Sequence, residues 1–146
     1  AYTDCTSDEV HLVLTKGEIH PDRETLVRVH EPLSVVDFLD PGGGRHTFSL
    51  DVAQAALARV EAGVIVLLHR PESGQDILAM LREPVATKRP AARWDPRIYG
   101  IGAQILRDLG VGKMKLLSSP RRMPSMTGFD LQVTGYIASL TDFERL

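Results

Sequence analysis

The chain has 146 residues, 43% of them hydrophobic and 25% charged, with a formal net charge of -2. That size and balance suit one compact domain with a sizeable core and imply no surface for nucleic acid. The one cysteine, Cys5, excludes an internal disulfide and a cysteine-built metal cage, and no apolar run approaches the roughly 20 residues of a membrane span.

In chain order, Val10–Thr15 and Thr25–His30 alternate apolar and polar residues and read as two antiparallel strands split by Lys16–Arg23. Leu33–Leu39 is apolar enough for a third strand. Asp40–Arg45 reads as a loop, because three consecutive glycines hold no regular structure cheaply. Ser49–Glu61 reads as a helix with Ser49 as N-cap and Asp51 in its first turn. Val52, Ala55, Ala56, Leu57 and Val60 recur at helical spacing, and Gly63 closes it. The unbroken apolar run Val64–Leu68 predicts a buried strand. Ser73–Leu81 predicts a short helix and Arg82–Trp94, with Pro84 and Pro90, a loop. Ile98–Leu109 predicts a helix stopped by Gly110, and Lys113–Leu117 a strand. Pro120–Thr127 opens on a proline suited to a first helical turn, and Leu131–Ile137 alternates again as a last strand. The sum is a single α+β (mixed α/β) domain over residues 1–146, a mixed sheet flanked by helices.

Base is concentrated between residues 88 and 122, in Lys88, Arg89, Arg93, Arg97, Arg107, Lys113, Lys115, Arg121 and Arg122. Such a half suits a bound phosphate or a solvated charged face. Within it Asp95 and Arg97 stand one residue apart on a turn that leads into a Gly-x-Gly helix start. A carboxylate beside a guanidinium stays ionised and holds it in position, and the same pair also suits a simple turn with a local ion pair. Gly100-x-Gly102 lacks the third glycine and the spaced acid of a dinucleotide fingerprint, and Gly42-Gly-Gly-Arg-His46 lacks the Lys-Ser/Thr of a P-loop. Trp94 reads as a core residue before a base-stacking one, and Met114, Met123 and Met126 as core filler.

Three blocks carry a family resemblance over nearly the whole chain. They are Leu26-Val-Arg-Val-His30, Val64-Ile-Val-Leu-Leu-His-Arg70, and Trp94–Val111 followed by Lys113-Met-Lys-Leu-Leu117. Together they resemble GTP cyclohydrolase II, the enzyme that opens riboflavin biosynthesis. The resemblance puts Asp95 at the family's proton acceptor and Arg97 at its nucleophile toward the triphosphate. It also implies nucleotide or phosphate contacts from Arg28, Glu72, Ser118 and Arg122. Arg28 matches a residue that contacts GTP, and Glu72 is what Pro71-Glu-Ser-Gly74 keeps of a Gln-Glu-Gly-Arg phosphate loop. Ser118-Ser-Pro-Arg-Arg122 stands for a Thr-Asn-Asn-Pro-Lys-Lys run.

The same resemblance locates a break in the pattern. The family binds zinc through a Cys and a later Cys-x-Cys, and those places fall at Leu33, His46 and Phe48. Leucine and phenylalanine cannot ligate, and one histidine does not make a zinc site. A substitute set of His30, His46 and His69 with a carboxylate is the weaker alternative, so the expectation is no cofactor and no metal. Pro32 replaces a Glu of the family, and Pro71–Trp94 is shorter than its counterpart, which erodes the guanine pocket.

These readings imply a catalytically degenerate GTP cyclohydrolase II-like domain with a structural or regulatory role. Its partners would be a second copy, as a homodimer, and a 3,4-dihydroxy-2-butanone 4-phosphate synthase domain in the same polypeptide. Weak phosphate or nucleotide binding is expected, with no nucleic acid and no membrane. The alternatives are a zinc-independent hydrolase of GTP or another nucleotide using Asp95 and Arg97, and a non-catalytic nucleotide-sensing module. The start without Met fits the C-terminal part of a longer protein, and its polar character without a signal peptide fits the cytoplasm.

Overall fold

The computed structural model describes residues 1–33, 47–69, 71–82, 96–120 and 128–144. In chain order the elements are β1 (Tyr2–Thr3), β2 (Val10–Lys16), β3 (Glu24–Leu33), α1 (Leu50–Arg59), β4 (Gly63–His69) and α2 (Gly74–Arg82). They continue with α3 (Pro96–Asp108), β5 (Lys113–Leu117), β6 (Gln132–Ile137) and α4 (Leu140–Glu144). The strands form one sheet in the order β1-β2-β4-β3-β5-β6. Neighbours from β4 to β6 are parallel, whereas β2 runs antiparallel to β4 and β1 antiparallel to β2. This is the mixed α+β architecture that the alternating strand and helix patterns predict.

The apolar run of β4 explains the order. Residues 63–68 are all buried, so the strand needs a neighbour on each edge and a layer on each face. β2 and β3 do not pair with each other: β4 inserts between them, with Leu14 opposite Ile65 on one side and Arg28 opposite Ile65 on the other. Alternate β4 residues feed two cores. Val64, Val66 and Leu68 pack with Val27, Met114 and Leu116 beneath Ala103 and Leu106 of α3. Ile65 and Leu67 pack with Leu26, Leu117 and Ile137 beneath Ala53, Ala56 and Leu57 of α1, with Phe143 of α4.

The helix ends follow local chemistry. Ser49 is the N-cap of α1 with extended φ and ψ of -69° and 166°, but its hydroxyl makes no capping bond. The helix stops at Arg59, and Gly63 is the first residue of β4, not the close of α1. A Cβ there would sit 2.2 Å from Leu57 Cδ1, so the glycine serves the approach of helix to strand. α3 ends as expected on Gly110, at φ +83°. Its N–H donates to the Arg107 carbonyl at 2.9 Å and the Val111 N–H to the Leu106 carbonyl at 3.0 Å, a Schellman closure. β3 extends to Leu33. The strand expected through Leu39, the Asp40–Arg45 loop, nearly all of Arg82–Trp94 and most of Pro120–Thr127 lie outside the described residues.

One turn gives a sharp test. Gly17 holds φ +70°, and an added Cβ would lie 1.9 Å from the Glu61 carbonyl oxygen. Gly17→Ala combines left-handed strain with a backbone clash and is expected to cost about 2–3 kcal/mol. Gly74→Ala, with nothing within 4 Å of its Cβ, is the neutral control. Urea midpoints of the two variants check the difference.

Candidate active-site crevice

The sheet topology fixes where a site can form. From β3 the chain passes through α1 to β4 on one side, then returns past β3 to β5, and from β5 moves outward to β6. β3 and β5 are therefore adjacent parallel strands whose outgoing connections diverge. In open parallel sheets a crevice forms outside the carboxyl ends of such a pair, where neither connection covers it.

Arg28 and Ser118 come together at this end. Arg28 lies in β3, only 7% exposed. One terminal nitrogen, Nη1, donates to the Leu117 carbonyl at 2.9 Å, and the other, Nη2, to the Phe48 carbonyl at 3.1 Å. A guanidinium suits this task because its planar fork reaches two acceptors at once. It ties the end of β5 to the segment that enters α1. Ser118 follows Leu117 directly and is half-buried, with its hydroxyl donating to the Ser119 carbonyl at 3.2 Å.

Glu72 lies three residues beyond β4, half-buried, just before α2. The next residue starts a capping box. The Asp76 N–H donates to Ser73 Oγ at 3.2 Å, and the Ser73 N–H and hydroxyl donate to Asp76 Oδ2 at 3.0 and 2.6 Å. These bonds hold the Asp76 carboxyl below its ordinary pKa, the hydroxyl contributing most. The residues that stand for the latter half of a phosphate loop are thus engaged in starting a helix.

α3 directs its first turn to the same end of the sheet. Gly110, past its last turn, neighbours Ile19 in the connection that enters β3. Mid-helix, Gly102 sits against Val29 and Leu68, with an ideal Cβ 3.6 and 3.7 Å from their methyls. Arg97, a turn and a half earlier, therefore lies further toward the carboxyl ends of β3 and β4. Asp95 and Arg122 lie outside the described residues, as does His46.

The places implied for metal ligands have a clear chemical character at one point. Phe48 is 2% exposed and packs in the core with Leu26, Leu50, Leu117 and Ile137. Leu33 ends β3 in register with His69. Of the substitute histidines, His30 is wholly buried within β3 and His69 is exposed at the end of β4. His11, which no spacing in the sequence singles out, is 2% exposed and accepts the His69 backbone N–H on Nδ1 at 3.2 Å. That bond puts its neutral-form proton on Nε2.

Comparison with known proteins gives matches over most of the chain. The family model described as GTP cyclohydrolase II matches residues 1–138. The chain is 45% identical over 135 residues to "3,4-dihydroxy-2-butanone 4-phosphate synthase" of Neisseria meningitidis serogroup A, covering 92% of this chain and 36% of that protein. It is 41% identical over 141 residues to the protein of the same name from Pseudomonas aeruginosa, covering 93% and 38%. It is 30% identical over 143 residues to "Riboflavin biosynthesis protein RibBA" of Bacillus cytotoxicus, covering 90% and 36%. The chain thus spans little more than a third of the length of these relatives.

Proposed function

The chain belongs to the GTP cyclohydrolase II family, and on that premise we propose that it is a domain of a riboflavin-biosynthesis protein that keeps the family's fold without its zinc-dependent ring opening. Its role is structural or regulatory, as a homodimer and beside a 3,4-dihydroxy-2-butanone 4-phosphate synthase domain in the same, cytoplasmic polypeptide. The relatives at 45% and 41% identity carry the synthase name, which supports that pairing. Among the described residues no helix is long and apolar enough to cross a membrane.

The observation that carries this reading is Phe48. At a place where the family needs a thiolate, this chain has a phenyl ring buried among aliphatic side chains. Zinc requires nitrogen, sulfur or oxygen donors in a tetrahedral set. Of the three family places, Phe48 and Leu33 offer no donor, and Cys5 is exposed in the turn between β1 and β2. The residues present do not fit the metal. Ring hydrolysis then lacks the metal-activated water it depends on.

Phosphate binding is a separate matter, and one feature favours it. The Ser118 hydroxyl and the first turn of α3 share the carboxyl end of the sheet, and helix N-termini attract anions. Arg97 and Arg122 would add cationic donors, and Asp95 would orient Arg97. The zinc-independent hydrolase and the nucleotide sensor both draw on this same set. Guanine reading is where the degenerate domain differs. Arg28 already serves two backbone carbonyls, and the Pro71–Trp94 segment is short.

Two measurements test the proposal. Elemental analysis of protein purified without chelator is expected to find no stoichiometric zinc. One tightly held zinc per chain, lost in His46→Ala, would overturn it. Calorimetry is expected to give salt-sensitive binding of GTP and ATP within about threefold of each other, under 1 kcal/mol apart. A marked, salt-insensitive preference for GTP would instead favour the sensing module.

A further inference from the structure

The ladder between β2 and β4 stops at Leu12, and a side chain takes the place of its next rung. The register runs from Lys16 opposite Gly63 to Leu12 opposite Leu67, and two residues further along β2 it would set Val10 opposite His69. The Asp4 N–H donates to the Glu9 carbonyl on the β1 side at 2.8 Å, and backbone groups alternate sides along a strand. Val10 and Leu12 therefore turn theirs toward β4, which makes the Val10 carbonyl the ordinary acceptor for the His69 N–H. That N–H donates instead to His11 Nδ1 at 3.2 Å. His11 is 2% exposed, on the face of β2 where Val13 packs toward the α3 core. Its Nε2 is buried and has no partner among the described residues, so the bond to His69 is the one its ring makes there.

We infer that His11 is a proton-controlled clasp on the end of β4: its neutral imidazole holds the His69 N–H and with it the start of the segment leading to α2, and its imidazolium releases both. A ring nitrogen accepts a hydrogen bond only in the neutral form. In the imidazolium both nitrogens carry hydrogens, and Nδ1–H would face the His69 N–H. Histidine is the side chain that ordinarily changes charge between about pH 5 and 8.

Two features give the clasp something to control. α2 has little packing of its own: Ile77 is half-buried, and Leu78 and Leu81 are 47% and 57% exposed. Its placement therefore depends on where β4 ends. That end lies beside the carboxyl end of β3, with Leu33 in register with His69, on the crevice side of the sheet. The titratable groups around His11 come from four elements. Tyr2 is opposite it in register on β1 and donates its hydroxyl to Asp108 of α3. The Asp4 carboxylate interacts with its charge, Glu9 precedes it by two residues, and His69 lies on β4. Of these groups only His11 accepts the His69 N–H.

NMR of the folded protein, followed from about pH 8 to about pH 5, tests the clasp with two readouts on the same samples. They are the ring-nitrogen shifts of His11 and the protection factor of the His69 amide against hydrogen exchange. At high pH the ring is expected as the Nε2–H tautomer. As it titrates, His69 protection should fall at least about tenfold with the same midpoint, while Leu67, in the ladder opposite Leu12, keeps its protection. His11→Phe should leave His69 unprotected at every pH. His69→Gln keeps the backbone N–H and should keep the whole profile at residue 69, a test that holds even where His11→Phe does not fold. A His11 ring that titrates without any change at His69 would overturn the inference, as would one that stays neutral until the protein unfolds. A profile abolished by His69→Gln or altered by a chelator would overturn it too, assigning the effect to the His69 ring or to a bound metal.

Discussion

Purified protein supplied with GTP is expected to release no formate above the level of an Asp95→Ala control. Opening the imidazole ring needs a hydroxide at neutral pH, and zinc supplies one by lowering the pKa of bound water to about 7. On the proposed reading Phe48, 2% exposed in an apolar cluster, stands where the family has one of the thiolates that hold that zinc. The expected loss relative to an intact family member is therefore many orders of magnitude, beyond what side-chain general bases alone provide, about 10²–10⁴-fold. Formate and pyrophosphate should be followed separately. Formate above the control would refute the degenerate reading. Pyrophosphate without formate, abolished in Asp95→Ala and Arg97→Ala, would favour the zinc-independent hydrolase. Restoring cysteines at positions 33, 46 and 48 is not expected to restore activity, because Phe48 belongs to the core that seats α1.

Arg28→Ala is expected to destabilise the ligand-free protein by about 2–4 kcal/mol. The substitution leaves the Leu117 and Phe48 carbonyls without the donors they have at 2.9 and 3.1 Å, and each orphaned buried acceptor costs about 1–3 kcal/mol. For a domain of this size that is roughly 5–15 °C in melting temperature. Arg28→Lys should recover only part of the loss, since one ammonium cannot repeat the planar fork across two acceptors. Calorimetric melting without nucleotide decides the matter. A melting temperature unchanged by Arg28→Ala would mean that the residue serves ligand binding and not the junction of β5 with α1.

Much of the secondary structure was legible because its causes are local. Lys113–Leu117 emerges with the expected bounds, and Gly110 ends α3 through left-handed geometry that glycine adopts without strain. Ser73 begins α2 through a hydroxyl that lies three residues from its partner Asp76. The family itself was legible in the run from Trp94 to Leu117, and the match over residues 1–138 bears that out. Strand partners were harder. Nothing in Val10–Thr15 or Thr25–His30 states that β4, more than thirty residues later, inserts between them. That order follows from burying β4 on both faces and both edges, a demand only the assembled sheet expresses.

The site divides along the same line. Residue types alone carry the proposal that the zinc ligands of the family are missing, because donor chemistry is a property of the side chain and Leu33 and Phe48 have none. Sequence likewise shows a carboxylate and a guanidinium one residue apart, at Asp95 and Arg97. Which backbone acceptors Arg28 bonds was decided only by tertiary structure. A buried arginine and a nucleotide-binding arginine look alike in sequence, and the distinction lies in where its two acceptors sit. Those acceptors, the carbonyls of Leu117 and Phe48, are 89 and 20 residues away along the chain. Backbone carbonyls carry no sequence signature, so only the packing of β3 against β5 and the entry to α1 brings them within reach of one guanidinium.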